Sequence, residues 1–288
     1  MHRLLELIQH LDAMAYAFLS HFHGNRLIDR FAELQESNTT FKTAPFVVPY
    51  WYFWFRGGDE RDRNERRKTI LIVLGSTLLA LVVTRLVASL APFRLRPMYN
   101  PELLQRPMVM PAPTTFMNWS SFPSDHAAYL AALGFGLVLL SRRLAVPVAL
   151  YLVGWICLPR MYLGIHYASD ILVGALIGVA VVWFVVSSRY GRSRAAAALA
   201  FAEAKPHIFY PAAFLFVYEM STLFWDLRSP VHGMLHLASV AGHKNLGDAL
   251  ILLGVLVVGA IVLVWRMRKS QRKAMPEGAI VAADVARR

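Results

Sequence analysis

Residues 169–187 read SDILVGALIGVAVVWFVVS, an apolar stretch in which Asp170 is the single charged residue. An α-helix needs about 20 consecutive apolar residues to cross the hydrocarbon core of a bilayer. The stretch therefore predicts a membrane-spanning helix that carries a carboxylate in its first turn. Other segments have a comparable apolar character, namely 41–55, 69–91, 125–140, 144–163, 208–225 and 247–265.

These segments predict an all-α fold, a polytopic transmembrane helical bundle with six to seven spans. Whether the count is six or seven depends on segment 41–55, which is short and aromatic. An amphipathic stretch precedes it and is suited to lying along the membrane surface. The apolar residues on one helical face of that stretch are Leu27, Ile28, Phe31 and Leu34. We expect seven spans, with six spans and an interfacial first segment as the alternative.

The composition of the 288 residues is that of a membrane protein. Hydrophobic residues make up 57% of the chain and charged residues 17%, whereas soluble domains carry about 25% charged residues. A net charge of +12 would suggest nucleic-acid binding in a soluble protein. Here the basic residues cluster at the ends of apolar segments and no nucleic-acid-binding motif accompanies them, so we expect no nucleic-acid partner.

The distribution of lysine and arginine predicts the orientation in the membrane, because cytoplasmic loops are enriched in these residues. One set of loops holds 17 of them, at 56–68, 142–143, 189–205 and 266–273. The other set holds six, and the segment before the first span adds three more. We therefore expect the first set to be cytoplasmic and the opposite ends of the helices to face outward.

The first polar motif, Arg94-Leu95-Arg96-Pro97, follows the 69–91 span on the outward side. Arginine presents a planar fork of N–H donors that matches phosphate oxygens. Two arginines in a stretch stiffened by prolines therefore indicate a phosphate-binding cluster. A pair of anchors for lipid headgroups is the alternative.

The second motif, Pro123-Ser124-Asp125-His126, opens the 125–140 span. Ser124 or Asp125 is suited to cap the helix N-terminus, and the free N–H groups of that first turn can bind an anion. His126 would then lie near a bound phosphate. An ordinary capping sequence with an interfacial histidine is the alternative.

The third motif, Arg160 followed by His166 and Asp170, bridges two spans. His166 and Asp170 are four residues apart, so they can meet on one helical face or across its start. A carboxylate on one imidazole nitrogen fixes the tautomer and leaves the other nitrogen able to attack. Ionisable residues at membrane depth are costly, so these residues indicate a functional site. A structural His–Asp cap is the alternative.

Together the three motifs resemble the signature of the type 2 phosphatidic acid phosphatase superfamily, which contains lipid phosphatases and haloperoxidase-like enzymes. The superfamily pattern runs K-x6-R-P, P-S-G-H and S-R-x5-H-x3-D, and the resemblance covers residues 69–187. It implies a metal-independent lipid phosphatase that uses no cofactor. The implied partners are a membrane lipid phosphate and the lipid bilayer.

The resemblance also implies a role for each matching residue. His166 would attack phosphorus and form a phosphohistidine, with Asp170 orienting its ring. His126 would protonate the leaving lipid oxygen and later activate water. The residues expected to hold the phosphate oxygens are Arg96, Arg160 and Ser124, assisted by backbone N–H groups near Asp125, with Arg94 adjacent to the site.

Three positions depart from the superfamily pattern. Ser89 replaces the lysine of the first motif, Asp125 the glycine of the second and Pro159 the serine of the third. Arg85, one helical turn deeper, or Arg94 could supply the missing cation. An aspartate at position 125 would repel a phosphate unless it points away or pairs with an arginine.

The P-S-D-H form and the approach Pro92-Phe93-Arg94-x-Arg96-Pro97 resemble a bacterial branch that includes undecaprenyl-diphosphate phosphatases of the bacitracin-resistance type. That branch places its site on the outer face of the inner membrane. We therefore expect hydrolysis of undecaprenyl diphosphate in a bacterial inner membrane. The alternatives are phosphatidylglycerophosphate, phosphatidic acid or lipid A phosphates as substrates, or phosphotransfer to a sugar or lipid acceptor. A non-catalytic membrane transport or binding protein is the alternative from another class.

The predicted organisation of the chain has three parts. Residues 1–68 hold the amphipathic segment, the first span and a basic cytoplasmic loop, and 69–187 form the catalytic core. Residues 188–288 hold two further spans and a basic tail, to which the sequence assigns no function. Within the core, Gly174-x3-Gly178 predicts close packing of neighbouring helices.

Overall fold

The computed structural model describes residues 2–103, 109 and 117–221, and every regular element within them is helical. The predicted all-α class is confirmed for this part of the chain. The α-helices in chain order are α1 His2–Ser20, α2 Arg26–Ser37, α3 Thr39–Phe55, α4 Glu60–Leu90, α5 Asp125–Leu140, α6 Ala145–Tyr151, α7 Leu158–Tyr162, α8 Ala168–Ser187, α9 Arg189–Ala204 and α10 Pro206–Ser221.

Three of the described helical segments are long and apolar enough to cross a membrane. They are α4, α8 and the continuous segment Arg142–Tyr162, in which a π-helical stretch at Leu152–Cys157 joins α6 to α7. α5 is a shorter apolar helix of 16 residues. The count of six to seven spans stays a prediction. The expected span 247–265 and residues 222–225 lie outside the described residues.

Two helices extend into segments that were predicted as cytoplasmic loops. α4 begins at Glu60, where the Asp59 side chain accepts a hydrogen bond from the backbone N–H of Asp62 at 2.8 Å. α9 covers 189–204, and its N-cap Ser188 accepts from the N–H of Gly191 at 2.9 Å. Such caps stabilise a helix start whatever the hydropathy of the residues that follow. These basic segments are therefore helical although they lack the apolar pattern of a span.

The centre of the bundle is formed by α4, α5 and α8, which pack against one another. Ten of the 16 residues of α5 are buried, as expected for a helix that is hydrophobic on all sides. α8 approaches α5 closely at its two glycines. A Cβ atom at Gly174 would lie 2.3 Å from the Ser124 carbonyl oxygen, and one at Gly178 would lie 2.0 Å from that of Ala128. The predicted close packing at these glycines is confirmed.

The three polar motifs meet at one end of this bundle, where α4 and α7 end and α5 and α8 begin. The backbone N–H of Ser121 donates to the carbonyl oxygen of Arg94 at 2.9 Å, and that of Ser124 donates to Asp170 at 3.0 Å. The turn after α7 passes through Gly164 at a φ of +69°, a conformation that favours glycine. Backbone hydrogen bonds therefore fix the motifs relative to one another.

The N-terminal helices lie beside the same end of the bundle, where α1 and α2 both contact α7. α2 buries Ala32 in a small apolar cluster with Met98, Tyr162, Leu163 and Ile165. Its Leu27 remains 83% exposed and its Leu34 52% exposed. This exposed apolar face suits the predicted position of α2 along the membrane surface.

Candidate active site

His166 lies in the connection between α7 and α8 and is 5% exposed. Its Nδ1 atom is 2.8 Å from the backbone carbonyl oxygen of Ser121. Because a carbonyl oxygen can only accept, Nδ1 carries the ring proton and donates it to this oxygen. The lone pair of the neutral ring is then on Nε2, which is the nitrogen available for attack.

Asp170 lies behind the His166 ring, in the first turn of α8, and is completely buried. Its Oδ2 atom accepts from the backbone N–H of Tyr167 at 2.9 Å, which forms a capping box. The same oxygen is 3.8 Å from Nδ1 of His166, too long for a hydrogen bond but close enough for electrostatic attraction. The Ser121 carbonyl thus makes the hydrogen bond that orients the ring, and Asp170 supplies the negative charge beside it.

Two buried arginines belong to this site, and one of them lies beside Nε2 of His166. Arg96 donates from Nη1 to the Ile165 carbonyl at 2.8 Å, and the same atom is 3.4 Å from Nε2 of His166. Burial and the nearby Arg160 guanidinium lower the pKa of Arg96 to about 10. Arg160 is 3% exposed, and its Nε is buried without a hydrogen-bond partner among the described residues. Two buried cations close to each other favour a bound anion.

The start of α5 provides the remaining predicted groups. Ser124 is the N-cap, as predicted, and its hydroxyl oxygen accepts from the Ala127 N–H at 3.4 Å. Asp125 forms an ion pair with Arg85, which matches one of the two arrangements expected for an aspartate beside a phosphate. His126, half-buried, is within electrostatic reach of Arg160 and His166.

Arg94 binds carboxylates with both of its terminal nitrogens. Its Nη1 lies 2.6 Å from Asp170 and its Nη2 lies 2.6 Å from Asp12 of α1. Its guanidinium also lies over the ring of Tyr167, at 4.0 Å from the centroid. Arg94 is thus placed to fix Asp170. A direct contact of Arg94 with phosphate stays a prediction.

Several residues at this site were not predicted from the sequence. Asp12 accepts from the backbone N–H of Ser169 at 2.9 Å as well as from Arg94. Glu36 of α2 binds Arg160, and Lys42 of α3 binds Glu36. The sequence signal for them was weak, because charged residues are ordinary in amphipathic helices such as α1 and α2 and Lys42 is one isolated charge near the start of α3. These residues are far from the three motifs in the sequence, so no local pattern connected them with the site.

Comparison with known proteins agrees with this geometry. Residues 67–194 match the model of the PAP2 superfamily. Two decaprenylphosphoryl-5-phosphoribose phosphatases, from Mycobacterium tuberculosis strains CDC 1551 / Oshkosh and ATCC 25618 / H37Rv, are each 40% identical over 75 residues. That stretch is 26% of this chain and 41% of each relative, so the match spans about two fifths of the relatives' length. No solved structure matches the chain significantly. The matched residues 67–194 include all three motifs, so this part of the chain is similar to the PAP2 superfamily.

Proposed function

We propose that the protein is an integral-membrane phosphatase that hydrolyses a lipid phosphate or diphosphate through a phosphohistidine on His166. The observation that carries the proposal is the position of the His166 ring. Its Nδ1 is held by the Ser121 carbonyl, and its Nε2 lies 3.4 Å from a terminal nitrogen of Arg96. A phosphate bound to Arg96 would have its phosphorus beside the nitrogen that carries the lone pair.

In the first step, Nε2 of His166 forms a bond to phosphorus while the bond from phosphorus to the lipid oxygen breaks. His126 donates a proton to that oxygen, and the dephosphorylated lipid leaves. Arg96 and Arg160 bind the phosphate oxygens, on which negative charge concentrates in the transition state. Both arginines are buried, so their interaction with that charge is strong.

In the second step, water attacks the phosphorus of the phosphohistidine and His126 takes the proton of the water. The bond between nitrogen and phosphorus breaks, and inorganic phosphate leaves. Asp170, 3.8 Å from Nδ1, favours the positive charge that the ring acquires while it is phosphorylated. Arg94 acts as a positioning residue for Asp170 in this scheme, and Ser124 caps the helix whose N–H groups face the phosphate.

The proposed substrate is undecaprenyl diphosphate, hydrolysed at the outer face of a bacterial inner membrane. The P-S-D-H motif supports this proposal. The names of the two relatives also support it, since the substrate that they print, decaprenylphosphoryl-5-phosphoribose, carries a polyprenyl chain. Three described helices can cross a membrane, and the site lies where α4, α5, α7 and α8 meet at one end of the bundle.

The test is phosphate release by the full chain, purified in detergent, with a chelator present and no metal added. The lipids offered in parallel are undecaprenyl diphosphate, phosphatidylglycerophosphate, phosphatidic acid and decaprenylphosphoryl-5-phosphoribose. We expect release that is abolished in His166→Ala and unchanged in His10→Ala, an exposed histidine of α1. Equal release by the wild type and His166→Ala would contradict the proposal. Release that requires added metal would contradict its metal-independent form.

A further inference from the structure

Lys42 is a buried cation at the end of the bundle that holds the candidate site. It lies in the first turns of α3, and its side chain is 5% exposed. Among the described residues it is the one buried lysine, because Lys68 is half-buried and Lys205 is exposed. A buried ammonium group is costly unless it is paired and hydrogen-bonded. The groups that pair with Lys42 therefore indicate which kind of anion this part of the structure can bind.

Lys42 and Arg160 bind the same carboxylate. Nζ of Lys42 is 3.1 Å from Oε2 of Glu36, and Nη2 of Arg160 is 3.0 Å from that oxygen and 3.2 Å from Oε1. Asn38 makes this geometry possible, since it ends α2 and caps α3 by accepting from the Phe41 N–H at 3.0 Å. One anionic oxygen thus lies between an ammonium and a guanidinium, an arrangement that a phosphate oxygen can also adopt.

The surroundings favour a phosphate over the carboxylate. A phosphate monoester carries up to two negative charges, whereas Glu36 carries one. Nε of Arg160 is buried without a partner among the described residues, so a larger anion could gain a contact there. Lys42 also acts electrostatically on His126, as Arg160 does. Arg160 therefore acts on both histidines of the proposed reaction, Lys42 on His126 and Arg96 on His166.

The other candidates for an additional cation are already committed to carboxylates. Arg94 binds Asp12 and Asp170, and Arg85 binds Asp125. Ser89 is exposed, and its hydroxyl donates to the Leu86 carbonyl at 2.8 Å. Lys42 is also paired, but it shares its carboxylate with Arg160, which is itself expected to bind the phosphate.

We propose that Lys42 binds the phosphate of the substrate, and that Glu36 occupies the phosphate's place on Lys42 and Arg160 when the site is empty. This inference rests on the proposed function, because the anion that Lys42 would bind is the substrate phosphate of the same site. It adds a phosphate-binding residue from outside the three motifs, together with an internal competitor for the phosphate. Because Glu36 competes with the phosphate, removing its charge strengthens phosphate binding, whereas removing the charge of Lys42 weakens it.

The experiment measures binding of orthovanadate, a phosphate analogue, to the full chain in detergent, with KM and kcat measured on the preferred lipid. The variants are Lys42→Met, Lys42→Arg and Glu36→Gln. Lys68→Met is the matched control, because Lys68 is paired with Glu65 at 2.8 Å at the start of α4, opposite the site. We expect Lys42→Met to weaken vanadate binding by about tenfold, which is about 1.4 kcal/mol. Lys42→Arg and Lys68→Met should bind like the wild type, and Glu36→Gln should bind more tightly.

Opposite signs distinguish the proposal from a structural ion pair, whose loss would weaken binding in both variants. Weaker binding by Glu36→Gln, or wild-type binding by Lys42→Met, would overturn it. If no lipid phosphate is hydrolysed but vanadate binding depends on Lys42, the proposed function fails and the Lys42 assignment stands. If phosphate is released and Lys42→Met leaves vanadate affinity and KM unchanged, the Lys42 assignment fails and the function stands.

Discussion

Nδ1 of His166 donates to the backbone carbonyl of Ser121 across 2.8 Å, while the carboxylate of Asp170 lies 3.8 Å from the same nitrogen. The carbonyl fixes the tautomer without charge, and the carboxylate acts on the ring through space. The lone pair of the neutral ring is therefore on Nε2, the nitrogen proposed to attack phosphorus. This arrangement also connects the reactivity of His166 to the burial and charge around it.

The first prediction concerns the pH dependence of activity. Burial, the largest cause, lowers the pKa of His166 below its ordinary value of 6.5; Asp170 opposes this, while Arg96 and Arg160 add to it. In the proposed mechanism His166 attacks as the neutral ring, so activity falls on the acid side when His166 becomes protonated. We therefore expect the acid limb of kcat/KM to be centred below pH 6.5. Arg96→Gln should move that midpoint upward, because it removes a neighbouring positive charge.

The pH profile is measured on a lipid phosphate in detergent at constant ionic strength. The midpoint of the limb is compared between variants, not its height, since Arg96→Gln also weakens phosphate binding. An acid limb centred above pH 6.5 in the wild type would contradict the environment described for His166.

The second prediction distinguishes the two arginines that flank the site. Arg94→Ala would leave Asp170 and Asp12, which are 0% and 3% exposed, without their cation. Removing one partner of a buried ion pair costs about 3 kcal/mol or more. Arg85 is 44% exposed, so the loss of its pair with Asp125 should cost less than about 1 kcal/mol. Arg94→Ala should therefore lower both the unfolding temperature and kcat, and Arg85→Ala should change the unfolding temperature little.

Thermal unfolding in one detergent and turnover of one lipid phosphate compare the two arginine variants directly. Asp12→Asn is the control for stability, because it removes one of the carboxylates that Arg94 holds. Equal losses in Arg85→Ala and Arg94→Ala would show that burial does not determine their contributions.

The third prediction concerns the contact between α5 and α8. A Cβ atom at Gly178 would lie 2.0 Å from the Ala128 carbonyl oxygen, so Gly178→Ala should force the helices apart and cost about 1–3 kcal/mol. Gly75→Ala is the matched control, because a Cβ there meets nothing within 4 Å. That substitution should be neutral or stabilising, since alanine is the better helix former by about 1 kcal/mol. The measurement is thermal unfolding of the two variants. Equal stability of Gly178→Ala and Gly75→Ala would contradict the close packing.

Much of the fold and of the site was predictable from local sequence. The predicted spans 69–91, 144–163 and 169–187 coincide with α4, the segment Arg142–Tyr162 and α8, because apolar length decides which helices can cross a membrane. The meeting of His166 with Arg96 and Arg160 was predictable because each motif begins or ends a helix; the proposed roles of these residues came from the family resemblance. The motif residues meet in the structure as their resemblance to a known signature implied.

Other parts depended on contacts that no local pattern encodes. The group that orients His166 is a backbone carbonyl, which any residue at position 121 would offer. Glu36 binds Arg160 although the two residues are 124 positions apart in the sequence. Glu36 lies near the end of α2, just before the junction with α3. α9 was predicted as a loop because its helix depends on a serine cap and an alanine-rich face, not on an apolar span. The contacts of Ser121 and Glu36 arise only when distant parts of the chain pack together in the fold.

The most direct test of the central proposal is isolation of the covalent intermediate. The full chain is mixed with a lipid substrate radiolabelled at the terminal phosphate, quenched in alkali and mapped by peptide analysis. The account predicts a label on His166 that survives base and is lost in acid, and no label in His166→Ala. A label on another residue, or full turnover by His166→Ala, would contradict the phosphohistidine mechanism.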